Sequence, residues 1–140
     1  MSRYETVAVP LGRVLLAAIF IISGLVTLAD LSGTAAHIES GGLPGFLVYP
    51  TVLLELAGGA MILVGYRTRW AALLLAAFSV VAGVLYHLIP AFSLAGVEQQ
   101  LQMIMFLKNL GLAGGFLVLF AHGPGHWSLD EHYGISATHA

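Results

Sequence analysis

Apolar residues run almost unbroken through four stretches, 10–29, 47–65, 70–89 and 101–121. Each is close to the roughly 20 residues that a helix rising about 1.5 Å per residue needs to cross a hydrocarbon core about 30 Å thick. Pro10 suits the first turn of a helix, where no amide donor is needed, and Pro90 is placed to close the third stretch. The segment 31–46 carries Gly41, Gly42, Pro44 and Gly45 and reads as a helix-free loop. The pattern predicts an all-α integral membrane fold: one domain over 1–140, a four-transmembrane-helix bundle followed by a solvated cytoplasmic tail at 122–140. The Arg-bearing start superficially suggests a cleaved signal peptide, but three further apolar stretches follow, and it reads as a retained first helix.

Within the stretches, small and polar positions recur at helical spacing. Arg13, Ala17, Phe20, Gly24 and Thr27 share one side of the first helix, Glu55, Gly58, Gly59 and Ile62 one side of the second, and Ala72, Ala76, Ser79, Gly83 and His87 one stripe of the third. On the fourth, Lys108 stands above Gly111 and Gly115. Small stripes let backbones approach, so Gly24, Gly58, Gly59, Gly83, Gly111 and Gly115 are expected at helix contacts, and the charges that share their faces are expected to point away from lipid.

Composition fits the pattern. Hydrophobic residues make up 59% of the 140, charged residues 9%, and mean hydropathy is +0.93. Five Lys and Arg against a formal charge of −2 leave no basic surface for phosphates, which argues against nucleic acid as a partner. There is no cysteine, so disulfides, thiolate metal sites and a thiol redox relay are excluded for this chain. Arg3, Arg13, Arg67 and Arg69 all fall on one side of the predicted spans, which puts both termini in the cytoplasm. The lipid bilayer is the first partner, and four helices enclosing a thin core favour a homodimer or docking on other subunits.

Ionisable groups within apolar stretches are costly, about 2.5 to 3.5 kcal/mol each near a helix centre, so Arg13, Asp30, Glu55, His87 and Lys108 mark function or helix pairing. Counted inward from the outer ends, Glu55 lies roughly 12 Å deep and Lys108 roughly 10 Å, one level at which they can pair, with Asn109 beside them. Asp30 sits at a helix rim. Arg13 lies roughly 5 Å from the inner surface, where it either snorkels out or reaches toward Glu55. A carboxylate beside an imidazole suits proton exchange with a small ligand such as a quinol; the plainer alternative is that these groups only join helices, and a small-solute path is a third.

The tail residues His122, His126, His132, Asp130 and Glu131 are of metal-binding types but match no ligand spacing, so no metal site is expected. His139 stands alone and is no tag. His87 and His122 lie at opposite ends of the spans, which argues against haem. Tyr66, Trp70 and Trp127 read as interfacial anchors. An echo between 55–59 and 111–115, both carrying Leu-Ala-Gly-Gly, raises the possibility of two parallel helical hairpins.

In order along the chain, Gly12-Arg13, Phe20-Ile21-Ile22-Ser23-Gly24, Glu55 with Gly58-Gly59, Gly65-Tyr66-Arg67-Thr68-Arg69, Phe106-Leu107-Lys108-Asn109-Leu110, and Gly123-Pro124-Gly125 with Ser128-Leu129-Asp130 resemble the DoxX family. That resemblance implies a small bacterial or archaeal inner-membrane protein, linked in some members to a terminal quinol oxidase, to thiosulfate:quinone oxidoreductase or to oxidative-stress complexes. It carries Arg13, Glu55, Lys108 and Asn109 over as the polar positions of interest and suggests an accessory or quinone-interacting oxidoreductase subunit. One departure is Thr27, where many relatives have a lysine, so the first helix lacks a cation near its outer end.

Overall fold

The computed structural model describes residues 3–135; His139 lies outside them. Helix α1 spans Arg3–Ala29, α2 Leu31–Ser40, α3 Gly45–Val64, α4 Thr68–Ala91, α5 Gly96–His122 and α6 Leu129–His132. Of these, α1, α3, α4 and α5 are long and apolar enough to cross a membrane. The first begins well before Pro10, which therefore lies inside it. Pro90 does mark the end of α4, which stops one residue later.

Two corrections concern the connections. The segment 31–46 is not helix-free: Asp30 caps α2 by accepting from the Gly33 amide at 2.9 Å, and the breakers that end it come only after Ser40. Nor are the described residues of the tail wholly solvated, since Gly123, Pro124, Ser128 and Asp130 are buried.

Helix α1 packs along α3, and α4 along α5, with sparser contact between the two pairs. The solid core fills the half of the bundle nearer the described ends of the chain, where Ala17, Ile62, Ala72, Leu75, Phe116 and Leu119 interlock. Phe20 tops this core, edge-on to Phe116 at 5.4 Å and to Phe78 at 6.2 Å between ring centres.

The faces read from periodicity on α1, α3 and α4 are the buried ones. On α5 the expected face is wrong. Ala113, Phe116 and Leu119 are buried, while Lys108 and Gly111 are exposed, because the larger apolar side chains win the core and turn the helix accordingly. A β-carbon at Gly24 would lie 2.7 Å from Leu56, and one at Gly59 2.9 Å from Ile21 Cγ1; one at Gly111 would meet nothing within 4 Å. Gly58, Gly83 and Gly115 face Leu75, Asn109 and Leu16 at similarly close range. The two Leu-Ala-Gly-Gly strings thus sit in unlike surroundings. Gly59→Val is expected to cost about 1 to 3 kcal/mol through overpacking of α1 on α3, while Gly111→Ala stays within about 1 kcal/mol on the stabilising side. Thermal unfolding in detergent checks both, and equal losses would contradict this packing.

At the chain-end side the tail is latched on. After Gly123 (φ 90°) it turns back beneath α1 and α3, and Arg13, only 4% exposed, donates to the main-chain carbonyls of Pro124 (2.8 Å), His126 (3.4 Å), Trp127 (2.8 Å) and Leu63 (3.2 Å). The buried Asp130 carboxylate accepts from the amides of Arg67 (2.7 Å) and Thr68 (2.8 Å), the first turn of α4, and the Asp130 amide donates to Gly65 O (2.8 Å). This holds Arg67 in a left-handed conformation (φ 43°) that a non-glycine residue seldom adopts, and places a negative charge at a helix N-terminus.

Candidate functional site

Above the Phe20 floor the helix pairs part around a cavity of about 610 Å³. Its walls come from α1 (Ile19, Ser23, Thr27), α3 (Leu47, Thr51, Leu54, Glu55), α4 (Val81, Leu85, Tyr86, His87) and α5 (Lys108, Asn109, Leu112). The roof is α2, which contributes Thr34, His37 and Ile38. Tyr86 ties the roof to the wall: its hydroxyl donates to Ile38 O at 3.3 Å, and its ring lies against His37 at 4.6 Å.

Glu55 is the buried charge of this cavity, 5% exposed. It sits in a π-helical turn, Leu54–Gly58, where one extra residue per turn aims the local side chains differently from the flanking α-helix. A second π turn, Val84–Leu88, brings Leu85, Tyr86 and His87 to the same cavity. Pro90 gives the local reason for it, because it offers no N–H to the carbonyl four residues back, and the Ile89 amide reaches five residues back to Val84 O. Such turns concentrate at functional sites.

The carboxylate oxygens are held by α1. Ser23 Oγ donates to Oε1 at 2.7 Å and Thr27 Oγ1 to Oε2 at 3.0 Å. Sequence reasoning missed both partners. Their signal was the four-residue spacing on the Gly24 side of α1, and Thr27 was read there as a packing position and a missing lysine, not as a partner of Glu55. The ion pair expected between Glu55 and Lys108 is not formed: Lys108 Nζ donates instead to Met105 Sδ at 3.3 Å, on the exposed side of α5. Asn109 Nδ2 donates to Met105 O at 3.0 Å while its β-carbon lies over Gly83.

His87 Nδ1 is 2.7 Å from Gln102 Oε1. With that oxygen accepting, the imidazole carries its proton on Nδ1 and keeps Nε2 as a base. Of the six polar positions singled out in the sequence, Asp30 caps α2, while Glu55, His87, Lys108 and Asn109 line one cavity. Arg13 does not; it belongs to the tail latch at the other end and neither snorkels nor approaches Glu55. His126 pairs with Glu131 (2.5 Å), and His132 packs edge-on to Tyr133.

Four spans enclosing a roofed cavity with a buried carboxylate define a small multi-pass helical membrane protein with an internal ligand-sized site. The family model DoxX matches residues 8–88, and the chain belongs to the DoxX family. It is 36% identical over 131 residues to the inner membrane protein YqjF of Escherichia coli (strain K12), covering 94% of this chain and 95% of that one. To the inner membrane protein YphA of the same organism it is 31% identical over 123 residues, 86% of each. To a Bacillus subtilis (strain 168) protein named "Putative oxidoreductase CatD" it is 28% identical over 120 residues, 85% of this chain and 89% of the other. No solved structure matches the chain. With these relatives and its four spans, it is a multi-pass inner-membrane protein.

Proposed function

We propose that this protein is a quinone-interacting accessory subunit of a membrane oxidoreductase complex. The observation that carries the reading is a carboxylate 5% exposed, held by two hydroxyls instead of a cation, on the wall of a cavity large enough for a substituted ring. A carboxylate in that setting gains most from a ligand that can give it a proton or a strong hydrogen bond. A quinol offers both. Each quinol oxidised releases two protons and two electrons; Glu55 takes one proton, His87 Nε2 the other, and the electrons pass to the redox group of a partner subunit. The apolar remainder of the cavity, with Phe20, Phe78 and Leu54, suits the ring edge and its tail. On the orientation predicted from the basic residues at the other end of the bundle, this cavity lies in the outer half of the membrane. The Bacillus relative named an oxidoreductase adds support of a general kind.

A structural reading draws on the same two hydrogen bonds, since they also tie α1 to α3. Turnover separates the two. In membranes carrying Glu55→Gln at normal protein level, quinol oxidation by the complex is expected to fall about 100-fold, the scale of a lost acid–base group. An unchanged rate would leave Glu55 as a structural residue.

A further inference from the structure

We infer that the cavity opens sideways into the bilayer, through the slot between α1 and α5, and that its ligand is a long-tailed lipid-soluble molecule with its ring at Glu55 and its tail leaving past Lys108. The inference rests on the quinone reading for the ring; the position of the mouth stands on geometry alone. Helices α1 and α5 run antiparallel and touch where Leu16 covers Gly115, a β-carbon there lying 3.2 Å from Leu16 Cδ2, and where Phe20 meets Phe116. Two turns on from Leu16 comes Ser23, and two turns back from Gly115 comes Lys108, so these residues stand at one level across the slot.

At that level the helices no longer close on each other. Ser23 lines the cavity and holds Glu55, whereas Lys108 lines the cavity and is exposed at the same time, which marks it as part of a rim. Gly111, one turn along, has open space where a side chain would be. The outer flanks of the slot are apolar, with Ile22 62% exposed on α1 and Leu107 57% on α5. Lys108 lies roughly 18 Å along the helix axis from Gly96, well within a hydrocarbon layer about 30 Å thick, so this mouth faces lipid.

At the other end of the cavity α2 is fastened to α4 by Tyr86, at Ile38 O and at the His37 ring. Lys108 adds chemistry to the mouth. Its recorded partner is a thioether sulfur, a weak acceptor, so a ring oxygen passing the rim is a better one. The two charges that line the cavity without pairing then serve opposite ends of one ring, Glu55 accepting from a hydroxyl and Lys108 donating to an oxygen.

The cysteine-free chain allows a direct test with Lys108→Cys and, as a second position on the α1 flank, Ile22→Cys, each spin-labelled in phosphatidylcholine vesicles. Both labels are expected to collide severalfold more with oxygen, which partitions into lipid, than with a water-soluble nickel chelate. Adding freshly reduced decylubiquinol is expected to lower oxygen collisions at position 108 at least twofold, while the tailless 2,3-dimethoxy-5-methylhydroquinone leaves them unchanged. Nickel-dominated collisions at both positions, or equal shielding by the tailed and tailless rings, would overturn the lateral mouth. Absence of saturable decylubiquinol binding to the unlabelled protein would instead remove the quinone reading, with the oxygen-to-nickel contrast still deciding where the cavity opens.

Discussion

Arg13→Ala is expected to destabilise the protein by about 3 to 5 kcal/mol, the scale for removing one partner of a buried charged network. The guanidinium is the common donor to four carbonyls from two separate segments, Leu63 at the end of α3 and Pro124, His126 and Trp127 in the tail. Without it those carbonyls lose their shared donor, the one on Pro124 within a buried bond, and each charged hydrogen bond of this kind contributes about 1.5 to 3 kcal/mol. The loss spreads, because the tail it holds carries Asp130, which caps α4 and steadies the left-handed Arg67. Thermal unfolding in mild detergent should show a fall on the order of 10 °C, and Arg13→Lys should recover less than half of it, since an ammonium lacks the planar fork that reaches several acceptors at once. A shift within error for Arg13→Ala would mean that the tail is not latched by this residue.

Glu55→Gln is expected to separate stability from ligand binding. An amide at position 55 still accepts from Ser23 through its oxygen and can donate to Thr27 Oγ1 through its nitrogen, so the α1–α3 contact survives and melting should move by only about 3 °C. Ligand affinity is expected to fall about tenfold or more, because the amide cannot accept a proton and the charge-assisted hydrogen bond is lost. Glu55→Leu should also fold, with Ser23 and Thr27 turning to carbonyls of their own helix, and should bind no better. A stability loss matching the binding loss in both variants would favour the purely structural role of Glu55.

The spans and three of the four buried faces were legible because each is a repeat. Small or polar residues at three- and four-residue spacing, such as Ala72, Ala76, Ser79 and Gly83, mark a face wherever the rest of the helix is uniformly large and apolar. Helix α5 defeated that logic. It is apolar nearly all round, so the conspicuous Lys108 and Gly111 suggested a face that Phe116 and Leu119 decide otherwise. Depth counting set Glu55 and Lys108 at one level, and both line one cavity with His87 and Asn109, but rise along an axis carries no information on rotation, and the pairing inferred from level was wrong. Arg13 and the tail were missed for a different reason. Their hydrogen bonds join residues more than 100 positions apart through main-chain carbonyls, and carbonyls leave no mark on a sequence. Helix α2 was hidden by the glycines that follow it, although Asp30 announced its start.

In the proposed function Glu55 faces a ligand site and does more than join two helices. Calorimetric titration of the purified protein in mild detergent with decylubiquinol, kept reduced under anaerobic conditions, is the test. Saturable binding of about one molecule per chain, weakened at least about tenfold in Glu55→Gln at unchanged fold, is the expected result. Binding of equal strength in the two proteins, or none in either, would contradict it.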